Sequence, residues 1–215
     1  MKWPSTVMKE ARDEAYEYFD KNIRPLTRGK NGKIDPSAVG LENNDVDAFR
    51  HAYVSGVFIQ VYNEKTADIL GRLNEYKIGD LYSNTKYPRS LNMDLWNNSI
   101  GRKYGKKAKT RKELLEKIHE ALKRGELIID LTDPRQYDGA KNNPINKSKP
   151  VIVLEEGEKG RNEIFFDVEK EEILSRSDFV AKIQAGEYSG YTVKEINGVL
   201  TPVSNPDSRE TNNLS

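Results

Sequence analysis

Between Val7 and Phe19 apolar residues return every three or four positions, at Val7, Met8, Ala11, Ala15, Tyr18 and Phe19. This spacing predicts an amphipathic helix that starts at Ser5, just after Pro4, and ends near Asp20. Pro25, Gly29, Asn31-Gly32 and Pro36 then punctuate Arg24 to Gly40 as a loop. Asn44 or Asp45 can accept bonds from the free amides of a first turn, so a second helix begins there. From Ala52 to Tyr62 that helix is apolar on nearly every side, the pattern of a central buried helix. Helical spacing returns over Glu64–Glu75 and again over Asn92–Tyr104, with loop character at Lys77–Arg89 between them. Thr110 and Glu113 form a capping box ahead of Leu114, Leu115, Ile118 and Leu122, and Gly125 supplies the stop. Glu126–Leu131 reads as a short strand.

The pattern changes at Pro134. Three prolines, a glycine and several Asn and Lys fill the stretch to Pro150, with almost nothing to bury, which predicts a linker. Beyond it, Val151–Leu154 and Glu163–Val168 read as strands, Asp178–Ala185 as a helix capped by Ser177, and Tyr191–Ile196 with Val199–Val203 as a hairpin. The turn Asn197-Gly198 suits such a hairpin because both residues tolerate positive φ. The expected class is therefore α+β. A mainly α-helical domain covers residues 1–133, a linker 134–150, a small ββαββ domain 151–203 and a polar tail 204–215.

Composition narrows the chemistry. There are 35 Lys and Arg against 34 Asp and Glu, a formal net charge of +1, so no global field steers the chain toward nucleic acid or membrane. The absence of cysteine removes disulfides, thiolate chemistry and the usual structural zinc ligands, and two histidines cannot build a His-rich metal centre. The N-terminus lacks the apolar core of a signal peptide, and no stretch approaches the ~18 apolar residues of a membrane span. A soluble chain is expected, cytoplasmic as written or exported as part of a longer secretion-system effector.

Against this background one polar constellation stands out. Asp47, His51 and Ser55 are spaced i, i+4, i+8 and share one face of the central helix, with Arg50 one turn after Asp47. A carboxylate beside an imidazole fixes its tautomer and raises its basicity, as a general base requires. Asp94, Asn98 and Arg102 repeat the spacing, with Asn97 adjacent. Two polar stripes in apolar frames are expected to face one another across a polar hollow, which Tyr53 and Trp96 would wall unless they are plain core. The rival reading makes the same groups a mutually satisfied structural network. Ser55 is the weaker candidate nucleophile, because triad members seldom come from one rigid helix. Oxygen ligands from Asp47, Asp94 and Glu75 offer a place for a divalent cation, without a loop motif to support it. Seven of the eleven residues from Arg102 to Lys112 are Lys or Arg, which favours anionic or phosphate-bearing substrates. His119 is expected at the surface.

Asp47-Ala48-Phe49-Arg50-His51-Ala52-Tyr53, followed by Met93-Asp94-Leu95-Trp96-Asn97-Asn98 and Gly101-Arg102, resembles an uncharacterised bacterial domain family with a D-A-F-R-H-A-x-W and a later M-D-L-x-N-N-x-x-G-R signature. The resemblance spans about residues 40 to 131 and implies secreted proteins or the terminal domains of polymorphic toxins. It carries over Asp47, Arg50, His51, Asp94, Asn97, Asn98 and Arg102. A His-Glu pair common between the family's signatures corresponds here to Asn74-Glu75, and a His common in the second signature is here Trp96, which leaves His51 as the proton shuttle. The C-terminal part, with Phe179–Ile183, Val193, Ser204-Asn205-Pro206-Asp207 and Asn212-Asn213-Leu214, resembles a small bacterial domain of unknown function with a D-G-x-x-x-D-N-L ending, which implies an accessory or binding module.

Two functions follow as expectations. In the first, the chain is an effector- or toxin-type hydrolase with His51, Asp47 and Asp94 as catalytic groups. Arg50, Asn97, Asn98 and Arg102 would then hold a phosphate-bearing or cell-envelope substrate such as phospholipid or peptidoglycan, and an immunity protein would be the partner. In the second, the chain is a non-catalytic binding module whose polar network is structural. Nucleic-acid binding through Arg102–Lys112 is a third and weaker reading.

Overall fold

The computed structural model describes residues 4–35, 37–75, 89–137, 149–157, 160–207 and 214. These fall into two compact units, the first within 4–137 and the second within 149–214.

The first unit is helical: α1 (Pro4–Asn22), α2 (Asp45–Val61), α3 (Glu64–Glu75), α4 (Arg89–Gly105) and α5 (Arg111–Lys123). Asn44 caps α2, its side chain accepting from the amides of Val46 and Asp47. Every residue from Val46 to Phe58 except Arg50 is buried, because α1, α3, α4 and α5 all pack against α2. The central helix read from its continuous apolar face is thus in place. Phe49 stacks on Tyr18 with centroids 5.7 Å apart and meets Phe19 edge-on at 5.6 Å. Thr110 caps α5 by accepting from the Glu113 amide, and Gly125 ends it at φ 69°.

The crossing of α2 over α4 is close. A Cβ on Gly101 would stand 1.9 Å from the Ala52 carbonyl oxygen, and one on Gly105 would stand 2.5 Å from that of Gly56. The Gly101-x-x-x-Gly105 pair therefore gives α4 a bare strip on which the α2 backbone lies directly. This approach brings the polar face of α4 up to that of α2.

Two expectations change in this unit. Glu126–Leu131 is no strand. Its backbone is held instead by side chains: Asn97 Nδ2 donates to the Ile128 carbonyl at 2.8 Å while its Oδ1 accepts from the Ile128 amide at 2.9 Å. Arg135 Nη2 donates to the Leu127 carbonyl at 3.0 Å. No strand lies beside this segment among the described residues of the unit, so the Asn97 amide on α4 and the Arg135 guanidinium satisfy its polar groups. The start of the expected linker is also docked. Asn92 accepts from the Tyr137 amide at 2.8 Å and donates to the Arg135 carbonyl at 2.9 Å. The rest of the expected linker to Ser148, and the loop expected over 77–88, lie outside the described residues.

The second unit has β1 (Val151–Gly157), β2 (Arg161–Asp167), β3 (Glu172–Ser175), α6 (Arg176–Gln184), β4 (Tyr191–Ile196) and β5 (Val199–Ser204). The first three strands form an antiparallel sheet in the order β1-β2-β3, and β4 pairs with β5 as a hairpin. The α+β class holds, with one strand more than the sequence pattern suggested. β3 is only four residues long and follows a turn that holds Glu171 at φ 52°, too short a run for alternation to register. Its last residue, Ser175, caps α6 in place of Ser177. The hairpin turn is as expected, with Asn197 at φ 51° and Gly198 at φ 74°. Val151, Val153, Phe165, Leu174, Phe179, Tyr188 and Tyr191 form the core, and Leu214 of the tail packs against it.

Candidate functional site

The meeting of α2 and α4 assembles most of the constellation. His51 on α2 is buried, and its Nε2 lies 3.4 Å from Asp94 Oδ1 on α4 and 3.5 Å from Asp47 Oδ1 one turn earlier. Arg50 Nη2 donates to Asp47 Oδ1 at 2.5 Å and approaches His51 Nε2 at 2.5 Å. Nε2 accepts from Arg50 when it is unprotonated and donates toward the carboxylates when the ring carries its proton there, so the protonation of this one nitrogen decides which partner it engages. The form with Nε2 unprotonated is the one a general base needs.

Asp47 is fixed from its other side by the Asn43 amide, which donates to Oδ2 at 2.7 Å from a residue at φ 54°. Burial tends to raise its pKa, but His51 and Arg50 outweigh burial and hold the carboxyl at about 2, against 3.8 ordinarily. Asp47 is therefore an anion at neutral pH.

Arg102, on the same face of α4, is buried and clamped. Its Nη2 reaches Asp68 Oδ1 on α3 at 2.7 Å and the Tyr137 hydroxyl at 3.2 Å, and its Nη1 donates to Ser55 Oγ at 3.4 Å. Asp68 also pairs with Arg72 at 2.7 Å. Neither residue of α3 was among the expected site groups, although their i, i+4 spacing was a legible sign of an ion pair. Asn98 is 3% exposed, and its Nδ2 has no hydrogen-bond partner among the described residues. A buried donor left unmade costs ~1–3 kcal/mol, which a fold seldom carries without use.

A cavity of about 100 Å³ opens on this face, lined by Met8, Arg12, Arg50, His51, Val54, Ser55, Phe58, Gly71 and Asn98. Of the expected residues Arg50, His51 and Asn98 line it, Asp47 and Asp94 stand behind His51, and Arg102 stands behind Ser55. Asn97 is committed to Ile128 and does not line the cavity. Trp96 and Tyr53 are not its walls. Trp96 Nε1 donates to the Glu126 carbonyl at 2.9 Å, and the Tyr53 hydroxyl donates to Glu14 at 2.6 Å. The side chain of Glu75 lies outside the described residues. His119 is half-buried rather than fully at the surface, with Nδ1 3.2 Å from the Tyr18 hydroxyl. The basic run is not one open field: Arg102, Lys106 and Arg111 pair with Asp68, Glu64 and Glu14, while Lys107, Lys109 and Lys112 are exposed.

The donor set also bears on a metal. One ligand atom each from Asp47, His51 and Asp94 lies within 4.8 Å of the other two. Separations of 3.4 and 3.5 Å match the edge of a tetrahedron with bonds of about 2.1 Å. However, Arg50 Nη2, at 2.5 Å from both Asp47 Oδ1 and His51 Nε2, already brings a positive charge between two of these atoms. A divalent cation and the guanidinium would compete for that position.

Fold and site together define a helical domain built around an imidazole, acid and guanidinium cluster on two facing helices. Residues 7–126 match a family described as a domain of unknown function, DUF6973. The match covers more than half of the chain, and the chain belongs to that family. No curated protein and no solved structure matches it. No helix among the described residues is long and apolar enough to cross a membrane.

Proposed function

We propose that the helical unit is a hydrolase of the effector or toxin type, with His51 as general base. The observation that carries this reading is the placing of His51 Nε2 beside Arg50 and between the carboxylates of Asp47 and Asp94, on the wall of a cavity.

In the resting arrangement Arg50 lies against Nε2. A phosphate-bearing or envelope-derived substrate draws the guanidinium toward its own negative charge and uncovers Nε2. Nε2 then takes a proton from water as the water oxygen attacks the substrate. The imidazolium that results lies between two carboxylates, which stabilise it through charge. The same proton passes to the departing oxygen, and Arg50 returns. Arg102 and Asn98 bind the substrate's anionic group. Asn97 supports them by holding the Ile128 segment.

The test is expression of the chain and of His51→Ala in both the cytoplasm and the periplasm of a bacterial host. Toxicity is scored beside release of product from phospholipid, peptidoglycan and nucleic-acid substrates. Activity and toxicity that vanish in a folded His51→Ala protein are expected. A folded variant that retains both refutes the reading.

A second reading, a non-catalytic binding module, is favoured by the dense mutual pairing of Asp47 with Arg50 and of Asp68 with Arg72 and Arg102. It expects His51→Ala to unfold the domain rather than to silence it.

A further inference from the structure

We infer that Gly71 keeps open a subsite for a phosphate group, formed by Asn98, Arg102 and Ser55 beside His51. A Cβ built on Gly71 would stand 3.5 Å from Asn98 Nδ2, 3.7 Å from Arg102 Nη1 and 3.7 Å from Ser55 Oγ. Three polar groups, two from α4 and one from α2, thus converge on the one point of α3 that has no side chain. Any other residue there would cover them.

All three can donate. Asn98 Nδ2 is a donor without an acceptor among the described residues, in a side chain 3% exposed. Arg102 is locked in place through its other nitrogen by Asp68 and Tyr137. Ser55 Oγ accepts from Arg102 Nη1 and so retains its proton for a further acceptor. The adjoining cavity adds Arg12 and Arg50, and no carboxylate is among its described lining residues. A pocket of donors and guanidinium groups recognises an anion.

A cavity of about 100 Å³ has room for one phosphate group. Donors on several sides suit a tetrahedral anion with several oxygens better than a planar carboxylate. The subsite rests on the hydrolase reading only for its place beside His51. Phosphate binding does not require catalysis.

The test is calorimetric titration of inorganic phosphate, glycerol 3-phosphate and phosphatidylglycerol vesicles into the full chain and three variants. Gly71→Ala places its methyl at ordinary contact distances, so it folds and fills the mouth of the subsite. Asn98→Asp replaces the free donor with a negative charge. His51→Ala removes the proposed base and leaves the cradle. The expected result is phosphate binding that falls at least tenfold in Gly71→Ala and Asn98→Asp and persists in His51→Ala. Preference for vesicles over the two soluble anions identifies a lipid headgroup as the source, and the reverse identifies a soluble phosphate. No binding to the wild-type chain, or binding that Gly71→Ala and Asn98→Asp leave unchanged, overturns the subsite. Phosphate binding that depends on Gly71 in a chain without hydrolytic activity refutes the hydrolase reading and leaves the subsite standing.

Discussion

The backbone of Gly101 lies against the carbonyl of Ala52 so closely that a single methyl on Gly101 would reach to 1.9 Å from the oxygen. Ala52 follows His51 directly, so the contact that packs α4 on α2 also sets how near Asp94 comes to the imidazole. Stability and site geometry share this crossing.

Gly101→Ala is therefore expected to cost ~3 kcal/mol or more, because backbone rather than a flexible side chain must give way. Urea denaturation of the variant beside wild type measures this. An equally stable Gly101→Ala protein would mean that the two helices separate easily, and the His51–Asp94 approach would lose its structural basis.

Neighbouring asparagines are expected to behave differently. Asn97→Ala strands both the amide and the carbonyl of Ile128 and should destabilise by ~2–4 kcal/mol. Asn98→Ala removes an Nδ2 that has no partner among the described residues and should cost clearly less, while weakening anion binding. Thermal unfolding of the pair decides the matter, and equal losses would contradict the separate roles given to them.

Acid stability should carry the signature of Asp47. Its folded pKa, about 2, lies below the ordinary 3.8, so its contribution is complete above about pH 4 and disappears as pH falls through about 2. The shift corresponds to about 2 kcal/mol. Relative to Asp47→Asn, the wild-type chain is expected to lose that advantage between pH 4 and 2. A stability difference that stays constant across this window would show that Asp47 is not held as an anion by His51 and Arg50.

Removing the competing guanidinium should expose the metal-ligand geometry. Arg50→Ala leaves Asp47, His51 and Asp94 without the cation near them. Mn²⁺ or Zn²⁺ is expected to raise the melting temperature of this variant more than that of wild type, in a manner lost on further mutation of His51. Wild-type stabilisation by metal equal to that of Arg50→Ala would indicate that the side chain does not compete for the position.

Much of this arrangement was legible along the chain, because its causes are local. The cap at Asn44, the box at Thr110 and Glu113, the stop at Gly125 and the turn at Asn197-Gly198 each act within a few residues, and the apolar run through Ala52–Tyr62 requires burial wherever it is placed. The i, i+4, i+8 spacing put Asp47 with His51, and Asp94 with Asn98 and Arg102, on single helical faces. Tertiary structure alone decided what those faces do. It spent Asn97 on Ile128 and Trp96 on Glu126, where a linear reading placed them at the hollow, and it turned an expected strand into a segment held by side chains. It also brought in Asp68 and Gly71 from a third helix. Spacing fixes which side chains share a face, but a partner amide, a clamp on a guanidinium or a gap left by a missing Cβ exists only where separate helices touch, and no local rule encodes the contact.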